Sequence, residues 1–293
     1  MSCSEQTSEY IGRFAPSPTG LLHLGSLVAA IASYCDAMKN NGKWLIRIED
    51  IDPPREITGA SKGILSSLQS YGFQFPKDVL YQSTRNPAYN TVLNRLKKLN
   101  ATYECKCSRS TLKNISMKKH ICRDITQRYE PPFHIKCKVP NIEIDFEDQI
   151  QGQKKYYLHK CGDFVLQRSD GYFAYQLAVV SDDHFQGITH IVRGIDLLDS
   201  TPWQIYLNSL LGFNQPHYAH IPILTNDSGQ KLSKQTFAKE IDNQNPLQTL
   251  MTAYNFLNQS PFSAVPKTID QFWHHAIENW ELNKIAKVHS IKI

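Results

Sequence analysis

The chain has 293 residues, a formal charge of +5, 41% hydrophobic and 20% charged residues, fractions that exclude wholesale disorder, collagen and a long coiled coil. Its length allows about two domains with a sizeable core. No stretch approaches the roughly 18 consecutive apolar residues of a membrane span, and the polar start Met1–Glu9 lacks the basic and apolar regions of a secretory signal, so a cytoplasmic protein without a membrane partner is expected.

Residues 10–15 read as a short strand, broken by the dense turn signal Pro16-Ser-Pro-Thr-Gly20. Leu24, Leu27, Val28, Ile31, Tyr34, Cys35 and Met38 then recur at helical spacing, and Asn40-Asn41-Gly42 ends that helix. Residues 44–49 read as a buried strand stopped at Asp52-Pro-Pro54. A second helix follows, with Ile57, Ala60, Ile64, Leu65 and Leu68 on one face and Gly72 just beyond. The βαβα order predicts an α/β fold, a parallel sheet with helices on its faces. Residues 98–140 change character: they carry cysteines and basic residues with little periodicity. Ile142–Glu147 alternates as an exposed antiparallel strand does. Phe164–Arg168, the turn Ser169-Asp-Gly171 and Tyr172–Leu177 read as a hairpin. This middle stretch is an insertion interrupting the α/β unit. The α/β grammar returns with a strand at 188–193, a helix at 201–211 and a strand at 219–224 before a lysine-rich loop. Near the end, Ile269, Phe272, Trp273, Ala276, Ile277 and Trp280 form one helical stripe behind a Thr268/Gln271 capping box, with His274 and His275 as surface residues beside it.

Charge is unevenly spread. Residues 93–139 hold twelve Lys or Arg against three acids, a local +9 that leaves −4 for the remainder. A cluster of this size is an electrostatic footprint for a polyanion. Seven cysteines (3, 35, 105, 107, 122, 137 and 161) without a secretory signal read as buried, metal-bound or catalytic thiols rather than disulfides.

Two segments carry chemistry. Pro16–Ser26, with His23, Gly25 and Ser26, lies between a strand and a helix start, where amide groups and the positive helix end face an anion and glycine admits close approach. His23 can donate there to a phosphoryl oxygen as charge develops. The segment has neither the G-x-G-x-x-G nor the G-x-x-x-x-G-K-[ST] spacing, which argues against dinucleotide oxidoreductases and P-loop NTPases. Lys231-Leu-Ser-Lys-Gln235, behind a polar loop, is suited to gripping a triphosphate. Singly, these lysines read as solvated surface groups; paired with the first segment, each at a strand end, they point to a nucleotide.

Arg13-Phe-Ala-Pro-Ser-Pro-Thr-Gly20 with His23-Leu-Gly-Ser26 resembles the "HIGH" region of class I aminoacyl-tRNA synthetases of the glutamyl type, and Lys231–Gln235 resembles their "KMSKS" loop. Trp44–Arg55 and Val192–Pro202 resemble further signatures of that family, so the likeness runs from about residue 10 to 240 in the right order. The second histidine of HIGH is Ser26 here, as is usual in the glutamyl subgroup, which shifts transition-state work onto His23 and backbone amides. The resemblance implies a Rossmann-type catalytic domain in two halves, residues 1–97 and 188–240, an inserted subdomain at 98–187 and a short helical region at 241–293. It implies that Arg13, Phe14, Ala15, Pro16, Ser17, Glu49, Tyr175 (on the hairpin) and Arg193 line a glutamate site. A guanidinium suits the side-chain carboxylate of that substrate, and a carboxylate suits its ammonium. His23, Gly25, Ser26, Lys231, Ser233 and Lys234 would bind ATP, with His23 and Lys234 as the catalytic pair and magnesium as the partner of ATP.

Full glutamyl-tRNA synthetases continue well past the KMSKS loop into an anticodon-binding region, whereas 58 residues follow Gln235 here. With Cys105-x-Cys107 and Cys122, this resembles the short glutamyl-Q tRNA(Asp) synthetase family, which activates L-glutamate with ATP and attaches it to the queuosine base of tRNA(Asp). Two alternatives stay open: a truncated glutamyl-tRNA synthetase charging the 3′ end of tRNA(Glu), and a non-catalytic RNA-binding module on a synthetase scaffold. The short family also implies a structural zinc. Three thiolates come from Cys105, Cys107 and Cys122. The family's fourth ligand, a tyrosine four residues before the last cysteine, is Lys118 here, so His120 is the nearest substitute. Lost zinc and three reduced thiols is the competing reading.

Overall fold

In the computed structural model, which describes residues 9–107, 121–124, 129–232 and 239–293, the first strand β1 (Ile11–Phe14) leads into α1 (Leu24–Lys39) and returns as β2 (Lys43–Ile48), parallel to β1. His23 caps α1: its ring accepts from the Ser26 N–H, and the Ser26 hydroxyl accepts from the His23 N–H. Leu27, Ala30 and Ile31 on the inner face are fully buried. The helix α2 (Ala60–Ser70) and strand β3 (Leu80–Tyr81) complete a parallel sheet of order β3-β2-β1. Ile57, expected on the face of α2, lies before the helix and is 56% exposed, because the helix begins only after Gly59.

Beyond α3 (Asn86–Lys98), strands β4 (Thr102–Cys105), β5 (His134–Cys137) and β8 (Phe164–Gln167) form a small antiparallel sheet. Between them, β6 (Glu143–Asp148) and β7 (Gly152–Tyr157) make a hairpin followed by the single turn α4 (Leu158–Cys161). The alternation of 142–147 is present in β6, yet β6 also runs parallel to β10 (His217–Ile221), which pairs with β9 (His190–Gly194). That sheet has the order β7-β6-β10-β9, so a segment inside 98–187 shares a sheet with the returning α/β unit. The parallel sheet and this mixed one meet where the Thr189 N–H donates to the Ile11 carbonyl at 2.9 Å.

Three sequence expectations need correction. Tyr172–Leu177 is not the second strand of a hairpin: one bridge joins Gln167 and Phe173, and Tyr175 opens the helix α5 (Tyr175–Phe185). Residues 176–183 are buried without a break, and a helix satisfies their backbone groups internally. The strand at 219–224 is two, β10 and β11 (Ile223–Thr225), split by Pro222, which has no N–H to give a ladder. Trp280 lies beyond the last helix, and its indole N–H donates to Asp36 Oδ1 at 2.9 Å.

The helix α6 (Thr201–Leu211) packs with α3 and α5 around Tyr89, Leu93, Leu177 and Leu207. The helices α7 (Pro246–Asn255) and α8 (Ile269–Glu278) cover α1, placing Tyr254, Phe272 and Trp273 in the same core as Leu27, Ile31 and Trp44. Thr268 caps α8 by accepting from the Gln271 N–H, while the Gln271 side chain accepts from Lys267 rather than from the cap residue. Strand β12 (Ser290–Lys292) pairs with β11. Among the described residues, no helix is long and apolar enough to cross a membrane.

Candidate active site

A cavity of about 1420 Å³ opens at the carboxyl ends of β1, β2 and β9, the place where open parallel sheets bind ligands. Its wall includes Arg13, Phe14, Ala15, Pro16, Ser17, His23, Gly25, Ser26, Glu49, Tyr175, Arg193 and Lys231, so residues from distant parts of the chain share one space. Ser233 and Lys234 lie outside the described residues, as does His120.

Arg13 lies one residue before the end of β1 and Glu49 follows β2, and both are buried with two partners absent from the sequence expectations. Asp183 on α5 accepts from Arg13 Nε at 3.3 Å and from Arg47 Nη1 at 2.8 Å; Arg47 Nη2 donates to Glu49 at 3.3 Å. Burial raises the pKa of Asp183, but Arg47 and then Arg13 outweigh it, so the carboxyl stays below the usual range. At Glu49 burial prevails over the same two arginines and lifts the carboxyl above its ordinary value. A site wall thus carries a carboxylate whose charge an incoming cation would stabilise.

Arg193 ends β9. Its Nη1 donates to the Tyr175 hydroxyl at 3.3 Å, its Nη2 to Thr201 Oγ1 at 2.9 Å, and its Nε to His220 Nε2 at 3.0 Å. His220 Nδ1 faces Asp148. Burial is the chief reason the His220 pKa is held down to about 4; Asp148 opposes and Arg193 adds to it.

At the start of α1, His23 Nδ1 accepts from the Ser26 N–H at 3.2 Å, so the proton of the neutral ring sits on Nε2. Ser26 spends its hydroxyl on the cap, accepting from the His23 N–H at 2.8 Å and donating to the His23 carbonyl at 2.7 Å. A Cβ on Gly25 would stand 3.3 Å from the His23 ring, which accounts for glycine there. Lys231 Nζ contacts Asp196 at 2.6 Å across the cavity mouth.

Cys105, Cys107 and Cys122 hold their sulfurs within 4.8 Å of one another, with Cys107 to Cys122 at 3.6 Å, and Cys105 and Cys107 also reach the cavity wall. The Tyr129 hydroxyl donates to Cys122 Sγ at 3.5 Å. Burial pushes the Cys107 thiol up to about 12, reinforced by Cys122; at Cys122 burial is outweighed by hydrogen bonds from Tyr129 and Cys107, which draw it below the ordinary thiol value. Three convergent sulfurs suit a soft divalent metal.

Asp183, Arg47, Asp148, His220 and Asp196 were missed as site residues. Asp196 lies inside the Val192–Pro202 signature, a signal available in the sequence. Arg47 likewise lies inside the Trp44–Arg55 signature; Asp183 meets its arginines across 136 or more residues and Asp148 meets His220 across 72, and no local pattern marks these three.

A parallel sheet whose carboxyl ends gather a helix-capping histidine, paired arginines and a lysine loop is the architecture of a class I synthetase catalytic domain, and a family model described as "tRNA synthetases class I (E and Q), catalytic domain" matches residues 11–254. A glutamate tRNA ligase from Elizabethkingia meningosepticum CCUG26117, solved in complex with its amino acid, shares the fold with a TM-score of 0.78 at 24% identity, over 97% of this chain and 67% of that one. A glutamyl-Q tRNA(Asp) synthetase of Neisseria meningitidis serogroup C (strain 053442) is 46% identical over 293 aligned positions, 95% of this chain and 98% of its own. Another, from Pseudomonas aeruginosa (strain LESB58), is 44% identical over 284 positions, 96% and 97% of the two chains. The chain belongs to the class I synthetases for glutamate and glutamine and, within them, to the glutamyl-Q tRNA(Asp) synthetase family.

Proposed function

We propose that this protein activates L-glutamate with ATP and transfers it to the queuosine base of tRNA(Asp). The observation that carries the reading is the convergence of Arg13, Glu49, Tyr175 and Arg193 on one cavity with the capped start of α1. As a class I synthetase it is a ligase using ATP with magnesium, glutamate and tRNA.

The arginines offer donors to the substrate carboxylates, and Glu49 offers a buried acceptor to the ammonium. The glutamate α-carboxylate attacks the α-phosphorus of ATP in line; a P–O bond forms, the bond to the β-phosphate breaks, and pyrophosphate leaves. His23 donates from Nε2 to phosphoryl oxygens as charge gathers on them, beside the amides of the helix start. Lys231, and Lys234 beyond the described residues, offset the charge of the departing pyrophosphate. Magnesium, entering with ATP, neutralises triphosphate charge. A queuosine hydroxyl then attacks the carbonyl of the mixed anhydride, giving the ester and releasing AMP and a proton. In this reading residues 1–97 and 188–240, joined by Tyr175 from the inserted stretch, supply the activation site, and the basic cluster at 93–139 meets the tRNA.

Cys105, Cys107 and Cys122 would hold a zinc ion whose role is to fix a segment with little core of its own. For the fourth ligand, His120 is the expectation from sequence, and the Tyr129 hydroxyl beside Cys122 is the oxygen that the described residues offer.

Glutamate-dependent ATP–pyrophosphate exchange tests the activation step. Exchange should require glutamate, and Arg13→Ala should abolish the preference for it. Exchange that proceeds equally without glutamate, or an unaltered preference in the variant, contradicts the reading.

A further inference from the structure

Among the described residues the Arg193 guanidinium makes four hydrogen bonds, to His220 Nε2, Thr201 Oγ1, the Leu197 carbonyl and the Tyr175 hydroxyl, and none goes to a carboxylate. Arg13, by contrast, is neutralised directly by Asp183. A guanidinium can only donate, so the atom facing Nε at 3.0 Å must present a lone pair. For His220 that requires the neutral ring with its proton on Nδ1, the nitrogen facing Asp148 Oδ2. Asp148 is itself fixed: its Oδ1 accepts from the N–H groups of Ile150 at 3.1 Å, Gln151 at 2.7 Å and His220 at 3.2 Å. All three side chains are buried.

We propose that Asp148 and His220 are positioning residues for substrate binding: the carboxylate selects the tautomer of the imidazole, and the imidazole Nε2 orients Arg193 without cancelling its charge, leaving that charge for a carboxylate of glutamate. The proposal rests on the assignment of Arg193 to the glutamate site. A carboxylate in the place of His220 would grip Arg193 as firmly but would neutralise it; an imidazole accepts the same bond and stays uncharged.

The groups around the ring agree with a neutral state. Asp148 faces it from β6, Arg193 from β9, Thr201 Oγ1 from α6 at 3.3 Å, and Tyr218 stacks along β10 with ring centroids 6.2 Å apart. Arg13 on β1 adds a repulsive positive charge at longer range, and Tyr175 on α5 touches Arg193 from the far side. Protonating Nε2 would set a donor against a donor and a cation against a cation.

The test is steady-state ATP–pyrophosphate exchange with the full chain, varying glutamate and ATP separately. His220→Leu should raise the KM for glutamate about tenfold or more while that for ATP stays within about twofold, the loss of one hydrogen bond to a charged group. His220→Gln, whose amide oxygen can accept from Arg193, should bring the glutamate KM back to within about threefold of the parent, and His220→Asn, too short to reach, should not. If His220→Leu does not fold, the Gln and Asn pair decides alone, and equal glutamate KM values for the two overturn the proposal. So does a parental glutamate KM in His220→Leu beside a raised one in Arg193→Ala, or an equal loss for both substrates in Leu and Gln variants. A parental glutamate KM in Arg193→Ala overturns the assignment of Arg193 and the positioning role with it.

Discussion

Asp183→Asn removes the anion on which two buried arginines converge. Arg13, Arg47, Glu49 and Asp183 carry two positive and two negative charges, all buried. The asparagine keeps the shape and one acceptor oxygen but leaves a net charge of +1 on side chains that are each at most 9% exposed. Arg47 retains Glu49 at 3.3 Å, while Arg13 loses the anion on its Nε. Breaking a buried pair on one side costs about 3–5 kcal/mol. At about 2–4 °C per kcal/mol for a chain of this class, the midpoint of thermal unfolding should fall by roughly 6–20 °C. Far-UV circular dichroism read during heating measures it, and glutamate KM in ATP–pyrophosphate exchange should rise in parallel because Arg13 is no longer held. A midpoint within about 2 °C of the parent would refute the view that this cluster is an electrostatically closed unit.

Acid should destabilise the fold through the half-buried His190 and the buried His220. His190 and His220 are both held down to about 4, chiefly by burial, against about 6.5 in an unfolded chain. Between those values the unfolded chain binds protons that the folded one does not, so the stability present above about pH 6.5 is lost as pH falls toward 4. Urea midpoints equal at pH 7.5 and 4.5 would contradict this. With twelve basic residues at 93–139, tRNA binding should weaken steeply between roughly 50 and 200 mM salt; an affinity flat across that range removes the electrostatic footprint. Elemental analysis should find about one zinc per chain, lost in Cys122→Ser, and a ratio near zero in protein purified without chelator rejects the metal. Where zinc is retained, comparing Tyr129→Phe with His120→Ala identifies the fourth ligand by which variant loses it.

The parts of the site readable from sequence are those that adjoin a strand end in a contiguous motif. Arg13, His23, Glu49 and Arg193 each sit within such a run, and the βαβ grammar brings the runs to one edge of the sheet. Asp183, Asp148 and His220 were invisible for the opposite reason. Each is a buried polar residue outside any such motif, and its meaning comes from a partner on another element. Tyr175 shows the limit of local pattern: the Ser169-Asp-Gly171 turn does close, but from Gln176 to Asp183 the chain after it is buried without a break and folds as a helix. Pro222 shows the reverse, since its missing N–H was a local signal that the strand must break there.

Labelled glutamate with paired tRNA(Asp) samples, with and without queuosine, identifies the acceptor. Alkali-labile label should appear only on the queuosine-containing tRNA and be retained after the 3′ adenosine is removed. Equal labelling of both tRNAs, or label lost with that adenosine, would contradict it.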